Sequence, residues 1–340
     1  MQKKIHRLLA VMFLGAVQQA LAGTPVEVQA RVDAIREKYA LPSLAAAVIT
    51  DKGIQACAMS GVKTNGVVLW HLGSDTKAMT AALVGLLVEQ GRVSWDTKIA
   101  DIFPKEKKGF HPDYAGLTLR QLLAHQGGVR PNLDWWALHN SKRPLREQRL
   151  EALRQGLAEK PAFLPGSDAL YSNLGYVMAG AVIEQKLNMT WEDAMRRHLF
   201  APLKMKHAGF GELYAGDVDN APVLGPAGRV HCTVEDWAAF IADQLRGAQG
   251  NAGLLKPETY RELHTPVGGK DFALGWVCAD RAWGGGRVLT HNGSNTRHFA
   301  TLWLAPKRNT AFIACTRQGD DTAAKACDDT VGALVGDVLN

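Results

Sequence analysis

The stretch Trp70-His71-Leu72-Gly73-Ser74-Asp75-Thr76-Lys77 decides how this sequence is interpreted. It runs directly into residues 78–90, where apolar side chains recur at helical spacing, and Gly91 ends that pattern. Ser74 is therefore predicted at a helix N-terminus, where free backbone N–H groups and the positive end of the helix dipole favour an anionic oxygen. Lys77 follows three residues later on the same helix face, within reach of the Ser74 hydroxyl.

A Ser-x-x-Lys pattern is short, and the chain holds a second copy in Ser60-Gly61-Val62-Lys63. That copy lies in a predicted turn with no apolar helix behind it, so neither a dipole nor a fixed side-chain direction is expected there. A serine that only caps a helix is the alternative explanation of Ser74. If burial lowers the pKa of Lys77, its amine can accept the Ser74 proton and activate a nucleophile.

Outward from this stretch, both ends of the chain predict strands and the middle predicts helices. Strand patterns fall in residues 45–50, 54–59, 287–291, 299–304 and 310–316, and helical spacing falls in 26–39, 76–90, 119–125, 145–157, 174–185, 191–199 and 322–339. We expect an α+β fold, an antiparallel sheet flanked by helices with an all-helical region inserted into it. Within one domain, residues 23–340, the sheet part would be about 23–75 and 205–340 and the helical part about 76–204.

Residues 1–22 are predicted to be a cleavable export signal. Three cations and no acid precede an apolar run over residues 8–17, and Ala20-Leu21-Ala22 offers the small residues after which a signal peptidase cuts. The run is shorter than the ~20 residues of a spanning helix, and an anchor that stays attached is the alternative. We expect an exported protein, periplasmic or secreted, with no stable membrane insertion after cleavage.

Composition favours an ordinary globular protein that does not bind nucleic acid. The 340 residues are 46% apolar and 21% charged, and the formal charge of +6 includes the three cations of residues 1–22, which leaves +3 afterwards. No basic cluster with interleaved aromatic residues accompanies that mild charge. The expected partner is a small-molecule or peptide substrate, and the oligomeric state stays open.

Five cysteines leave the redox state of the protein open. In an exported chain disulfides are permitted, but the number is odd and no two cysteines form a Cys-x-x-Cys pair. A Cys315 to Cys327 bridge and buried free thiols are both compatible with the sequence. The cysteines are Cys57, Cys232, Cys278, Cys315 and Cys327.

Further blocks follow the Ser74 stretch. They are Leu87-Val88-Glu89-Gln90-Gly91-Arg92-Val93-Ser94-Trp95-Asp96, Ile102-Phe103-Pro104 and Thr118-Leu119-Arg120-Gln121-Leu122-Leu123-Ala124-His125-Gln126-Gly127-Gly128. With residues 73–77 these blocks resemble the serine β-lactamase and penicillin-binding-protein family, particularly its class C and carboxylesterase-like branch. The resemblance runs from about residue 30 to the C-terminus. It implies a β-lactamase/transpeptidase-like fold and a serine nucleophile, Ser74.

Tyr171-Ser172-Asn173 is the only Tyr-x-Asn in the chain and is similar to the second motif of that family. The resemblance implies that the Tyr171 hydroxyl relays protons together with Lys77 and that the Asn173 amide orients the substrate. The alternative is a helix start in which Asn173 is the cap and Tyr171 packs beneath it.

The third motif of the family, Lys-Thr-Gly or a His-x-Gly variant, would correspond to His291-Asn292-Gly293. His71-Leu72-Gly73 and His207-Ala208-Gly209 fit the same pattern, but only His291 follows Leu274-Gly275-Trp276 and precedes the closing strand pair. A surface turn that happens to contain a histidine is the alternative.

The same resemblance implies roles for the residues around this third motif. Gly293 would let substrate approach the strand backbone, and the Ser294 N–H would join that of Ser74 as an oxyanion hole.

Departures from the family pattern bear on the substrate. His291 stands where a lysine is usual, so a fixed positive charge for a substrate carboxylate is missing, and Arg297 and His298 stand where many relatives carry glycine. We expect a serine hydrolase of esters, amides or D-amino-acid peptides. A penicillin-binding DD-peptidase or weak β-lactamase, and a non-catalytic sensory or binding module, are the alternatives. No His-Glu-x-x-His, Walker or Gly-x-Gly-x-x-Gly motif occurs, so no metal and no other cofactor is expected.

Overall fold

A computed structural model describes residues 25–63, 66–213, 217 and 219–339 of the chain. The predicted export signal over residues 1–22 lies outside the described residues. Among the residues that are described, no helix is both long and apolar enough to cross a bilayer.

The main sheet has six antiparallel strands in the order β2-β1-β9-β8-β7-β6. Its strands are β1 Leu44–Thr50, β2 Gly53–Ser60, β6 Val277–Arg281, β7 Gly286–Ser294, β8 Phe299–Ala305 and β9 Thr310–Thr316. A second, small sheet contains β3 Trp70–His71, β4 Gly209–Phe210 and β5 Val230–Cys232, in the order β3-β5-β4. Because β1 pairs with β9, the two ends of the chain meet in one sheet, as the strand pattern predicted.

Helices cover both faces of the sheet and form the middle of the molecule. They are α1 Pro25–Lys38, α2 Thr76–Glu89, α3 Ile99–Ile102, α4 Leu119–Leu123, α5 Trp135–Asn140, α6 Leu145–Ala158, α7 Asn173–Leu187, α8 Trp191–Met195, α9 Gly225–Gly228, α10 Val234–Ala248, α11 Pro257–His264 and α12 Asp321–Leu339. Helices α1 and α12 pack on one face of the sheet, and α10 packs on the other. The α+β architecture expected from the sequence is confirmed.

The central strands are apolar throughout because both of their faces are covered. In β1, Ala45, Ala47 and Ile49 belong to the large core shared with the helical region. Leu44, Ala46 and Val48 belong to a smaller core under α1 and α12. A strand buried on both sides has no polar face to expose, so its sequence loses the usual alternation.

Helix α2 is the axis around which the helical region is arranged. It contacts α7, α9 and α11, and eleven of its residues are buried. A helix that is apolar on nearly all sides belongs inside a protein. The N-terminus of α2 lies where the helical region meets β7. The candidate site is at this junction.

Candidate active site

Ser74 lies in a short 3-10 turn, Gly73–Asp75, between β3 and α2. Gly73 has a φ of +50°, and a Cβ at this residue would collide with the backbone nitrogen of Ser294. The turn therefore requires glycine. Across residues 70–85, all of them described, every residue is buried except Ser74. The fold thus leaves one hydroxyl accessible beside the N-terminus of α2, where the helix dipole favours negative charge.

Lys77, in the first turn of α2, is fully buried at 0% exposure. Its Nζ lies 2.9 Å from the Ser74 Oγ, 2.8 Å from the Asn173 Oδ1 and 2.6 Å from the Ala227 carbonyl oxygen. Burial lowers the pKa of Lys77 well below its usual range, and the Asp75 carboxyl opposes this shift only in part. Burial therefore favours the neutral form of this amine, which lies next to the Ser74 hydroxyl.

Tyr171 completes the group of side chains around the Ser74 hydroxyl. The Lys77 Nζ lies 4.8 Å from the centre of its ring, and an interaction with the Ser74 side chain opposes the effect of burial on the pKa of Tyr171. Burial raises the pKa of Tyr171 above its ordinary value, so the phenol keeps its proton at neutral pH. The His125 ring packs against it with the centroids 4.4 Å apart, and the His125 Nδ1 accepts the Ser172 N–H at 3.1 Å. His125 thus supports the position of the tyrosine.

Asn173 is the first residue of α7, but Ser172 caps that helix by accepting the Gly175 N–H at 3.0 Å. The alternative in which Asn173 is the cap is therefore wrong. The Asn173 side chain instead bridges two groups. Its Oδ1 accepts from the Lys77 Nζ, and its Nδ2 donates to the Asn132 Oδ1 at 2.9 Å. These two contacts fix the direction of the amide.

Strand β7 presents an open edge to this group. β6 pairs with β7 only over residues 286–290, whereas β8 pairs with its other edge as far as Ser294. A Cβ at Gly293 would lie 2.6 Å from the Ser74 backbone nitrogen and would collide with the Leu72 carbonyl oxygen. This close approach places the Ser74 backbone nitrogen next to Gly293 and the Ser294 backbone nitrogen next to Gly73, so the two segments meet where the sequence predicts an oxyanion hole.

His291 is buried in β7 at 4% exposure, and it does not lie in a surface turn. Its ring centroid is 6.0 Å from that of Tyr171, and its Nδ1 lies 2.9 Å from the Asn292 carbonyl oxygen. Burial lowers the pKa of His291 to about 3. The imidazole is therefore neutral at physiological pH, more completely than an unperturbed histidine would be.

Asp75 belongs to the site although no sequence pattern singled it out. It is 2% exposed, and neither carboxylate oxygen accepts a hydrogen bond from any other residue that the structure describes. Burial raises the pKa of Asp75 well above its ordinary value, and the charge of Lys77 opposes that shift. The sequence signal was an acidic residue directly after Ser74, at the start of a helix that is otherwise buried.

The structure thus joins Lys77 by hydrogen bonds to Ser74 and Asn173, places the Tyr171 ring against the Lys77 amine and brings the 291–294 edge of β7 next to them. The five cysteines lie away from these contacts and are all free thiols, so Cys315 and Cys327 are not bridged. Among the described residues, no three His, Cys, Asp or Glu side chains are grouped so as to hold a metal ion.

Comparison with known proteins identifies the family. The sequence model described as Beta-lactamase matches residues 28–336. This chain belongs to the β-lactamase family. The family is one of serine hydrolases, and solved proteins of the same fold include ones named as a D-stereospecific amidohydrolase and a β-lactamase/D-alanine carboxypeptidase.

The relatives differ in length. Penicillin-binding protein 4 of Amycolatopsis lactamdurans is 25% identical, over 87% of this chain and 86% of its own length. Protein flp of Staphylococcus aureus is 21% identical over 78% of this chain, which spans only 56% of flp.

Two solved structures share the fold. SurE with D-Leu has a TM-score of 0.75 at 22% identity, covering 93% of this chain and 76% of its own. A D-stereospecific amidohydrolase from Streptomyces has a TM-score of 0.68 at 19% identity, covering 89% of this chain and 98% of its own. At these identities the likeness establishes the fold alone.

Proposed function

We propose that this β-lactamase-family protein is an exported serine hydrolase that forms an acyl-enzyme at Ser74. Its substrates are esters, amides or D-amino-acid peptides. The reaction uses Lys77 and Tyr171 for proton transfer, with Asn173 and the 291–294 edge of β7 binding the substrate, and it needs no cofactor.

This proposal depends on the three groups that contact the Lys77 amine. Two of them, the Asn173 Oδ1 and the Ala227 carbonyl oxygen, can only accept hydrogen bonds, whereas the third, the Ser74 hydroxyl, can donate. A neutral amine has two N–H groups and one lone pair. The two N–H groups match the two acceptors, which leaves the lone pair directed at the Ser74 proton, the arrangement that a general base requires.

The chemistry follows in two steps. The Ser74 Oγ attacks the substrate carbonyl as its proton passes to the Lys77 Nζ, and the oxyanion is stabilised by the N–H groups of Ser74 and Ser294. The Tyr171 hydroxyl, linked to Lys77 through Ser74, donates a proton to the leaving group. Water then attacks the acyl-enzyme with the proton transfers reversed, and Ser74 is regenerated.

The neutrality of His291 supports the choice of substrate class. Without a fixed cation on the β7 edge, a β-lactam or peptide carboxylate gains no charge attraction there, whereas neutral esters and amides lose nothing. The free edge of residues 291–294 suits an extended acyl group, which can pair with it as an added strand. A D-stereospecific amidohydrolase among the proteins of this fold is consistent with such substrates.

A direct test is intact-mass measurement after exposure to a fluorophosphonate and to a penicillin, on wild type and on Ser74→Ala. We expect a serine-dependent adduct with the fluorophosphonate. Absence of any Ser74-dependent adduct would contradict the enzyme and favour a non-catalytic module.

A chromogenic ester, a D-alanyl peptide and a chromogenic cephalosporin, offered side by side, separate the enzyme classes. Turnover of the ester well above that of the cephalosporin is the expected order. The reverse order would favour the DD-peptidase or weak β-lactamase alternative.

Export is tested by the N-terminus of the mature protein. Recovery from the periplasm or medium with a chain that begins near residue 23 supports cleavage of residues 1–22. A chain that retains them in the membrane fraction contradicts it.

A further inference from the structure

Behind the two oxyanion donors lies a group of buried polar side chains that the proposed mechanism does not use. It consists of His71, Asp219, Arg229 and Asn295, and we call it the Asp219 cluster. Their exposures are 1%, 8%, 9% and 4% respectively. Burying a polar group costs free energy unless the group is paired. The segments that these four side chains hold in place therefore indicate what the cluster does.

One contact of the cluster holds the Ser74 turn. The His71 Nδ1 accepts the backbone N–H of Gly73 at 3.1 Å. An Nδ1 that accepts places the ring proton on Nε2, and the His71 Nε2 lies 2.9 Å from the Asp219 Oδ1, a close polar contact whose angle is not that of an aligned hydrogen bond. The glycine immediately before Ser74 is thereby connected through one imidazole to the Asp219 carboxylate.

A second contact holds the Ser294 turn. The Asn295 Nδ2 lies 3.5 Å from the same Asp219 Oδ1. The Asn295 Oδ1 accepts the backbone N–H groups of Arg297 at 3.2 Å and His298 at 2.9 Å, which closes the turn that follows Ser294. The residue immediately after the second oxyanion donor thus reaches the same carboxylate oxygen.

Arg229 fixes the carboxylate from its other side. Its Nε donates to the Asp219 Oδ2 at 2.7 Å. Burial would raise the pKa of Asp219, but the His71 contact and the charge of Arg229 outweigh it and lower the pKa to about 2. The carboxylate is therefore ionised throughout the physiological range. Arg229 also lies two residues after Ala227, whose carbonyl oxygen holds the Lys77 amine.

We propose that Asp219 is a positioning residue that holds the two halves of the oxyanion hole at their working separation. Ser74 and Ser294 are 220 positions apart in sequence and on different elements. Asp219 joins them because one carboxylate oxygen contacts both His71 and Asn295. This inference rests on the proposed acyl transfer, in which both N–H groups stabilise the same oxyanion.

An oxyanion hole works only when both of its donors are held at the correct distance, so a connection between Ser74 and Ser294 through Asp219 should affect the reaction rate. Donors have to lie about 2.7–3.1 Å from the oxyanion, and loss of one donor costs about 10²–10³ in rate. A site whose supports are loosened by about 1 Å loses much of that benefit. If Asp219 positions these donors, its loss should slow the reaction of a carbonyl oxygen more than that of a sulfur in the same place. A general loss of stability would not distinguish the two atoms.

The test compares Asp219→Asn with wild type on a matched pair of substrates, an ester and its thionoester, in which sulfur replaces the carbonyl oxygen. The larger, weakly accepting sulfur gains little from the two N–H groups. We expect kcat/KM for the ester to fall about 10- to 100-fold, mostly in kcat, while the thionoester rate changes less than about 3-fold. The oxygen-over-sulfur preference, which is the ratio of the ester rate to the thionoester rate, then falls by about the same factor as the ester rate.

Glu184→Gln is the control, because Glu184 is a similarly buried carboxylate, held by Arg149 at 2.6 Å, with no contact to the Ser74 group. Its oxygen-over-sulfur preference should equal that of wild type even where its melting temperature falls. An unchanged preference in Asp219→Asn would overturn the proposal.

His71→Asn provides a second variant in case Asp219→Asn does not fold. Its amide oxygen can still accept the Gly73 N–H, but the side chain is too short to reach Asp219. The proposal requires a reduced oxygen-over-sulfur preference in this variant also, and a wild-type preference contradicts it. A wild type that hydrolyses neither substrate contradicts the proposed function itself, so the two failures are distinguishable.

Discussion

Two buried basic side chains in the helical region have opposite surroundings. Arg149 in α6 is contacted by the carboxylates of Glu184 at 2.6 Å and Glu192 at 2.5 Å, and its side chain is 0% exposed. Lys77 in α2 is equally buried, but its Nζ contacts a hydroxyl, an amide oxygen and a backbone carbonyl oxygen. No carboxylate oxygen of the described residues lies within ion-pairing distance of it.

Because both side chains are buried, the difference lies in their partners, which separate a structural cation from the amine that we propose as the general base. A guanidinium between two carboxylates remains charged and connects three helices. An amine without a contacting counter-ion loses its proton to avoid the cost of desolvation, and it then has a lone pair to offer. Each variant below alters one side of this comparison.

Replacing Lys77 has the largest expected effect on activity. Lys77→Arg puts a permanently charged group beside Ser74, and Lys77→Met removes the base. Both should lower kcat/KM for a chromogenic ester by roughly 10³-fold or more, because the nucleophile loses its proton acceptor. The thermal midpoint of Lys77→Met should stay at or above that of wild type, since it removes a buried amine. Retention of more than a tenth of the wild-type kcat/KM would remove Lys77 from the mechanism.

Arg149→Met tests the other side of the comparison through stability. Loss of the guanidinium leaves Glu184 and Glu192 without their buried partner, so we expect the free energy of unfolding to fall by about 3–5 kcal/mol in urea titrations. The kcat of the folded fraction should remain within about two-fold of wild type. Arg154→Met, on the same helix but 46% exposed in its pair with Glu106, is the control and should cost less than about 1 kcal/mol. Equal losses in the two variants would refute a structural role for the buried network.

Asp75→Asn should increase stability in a pH-dependent manner. Because burial raises the pKa of Asp75 in the folded state, wild type loses stability as the pH rises above the unfolded value, about 3.9, towards the folded pKa. An asparagine does not ionise. The stability advantage of the variant should therefore be small below pH 4 and grow to about 1–3 kcal/mol at higher pH.

The acid limb of the pH profile of kcat/KM should shift to lower pH in the same variant, because the carboxylate that raises the Lys77 pKa is gone. Asp280→Asn is the control for the pH dependence of stability, and its effect should have the opposite sign. The hydrogen bond with Arg287 lowers the pKa of Asp280, an exposed carboxyl. A stability difference for Asp75→Asn that does not vary with pH would show that Asp75 is not a buried, titrating group.

His291→Lys adds to the neutral site an amine that becomes a counter-ion when a substrate carboxylate binds beside it, and it has the smallest expected effect. An ion pair that stays in contact with water is worth at most about 1 kcal/mol, which corresponds to roughly five-fold in rate. Acylation by benzylpenicillin, measured by intact mass against time, should accelerate by about that factor, and hydrolysis of a neutral ester should change less. His207→Lys, outside the site, serves as the control. Equal acceleration of both substrates would show that charge at residue 291 does not select the substrate.

The sequence predicted those parts of the fold and site that depend on local patterns. Residues 310–316 alternate too little for an exposed strand, and they form β9 between two neighbours. The Ser74 to Lys77 spacing predicted their contact, because three residues on a helix leave two side chains on one face. Strand patterns at both chain ends predicted one sheet assembled from both ends, and the pairing of β1 with β9 confirms it, although the pattern did not say which strands pair.

Other features depend on contacts between distant residues, which local patterns do not contain. The low pKa of His291 results from burial in β7 against Tyr171, and nothing in His-Asn-Gly indicates burial. Asp219 follows no motif, and its two contacts lie on segments about 75 and 150 positions away. The small sheet of β3, β5 and β4 has strands of two or three residues, too short for a periodic signal.

The charge of Lys77 tests the central claim most directly. The Lys77 side chain can be followed by NMR through its ¹³Cε signal as pH is varied, with assignment from the loss of that signal in Lys77→Met. The account requires a titration midpoint well below the ordinary value of 10.5, so that the amine is neutral while the enzyme is active. A Lys77 that stays protonated up to about pH 10, with wild-type activity at pH 7, would contradict it.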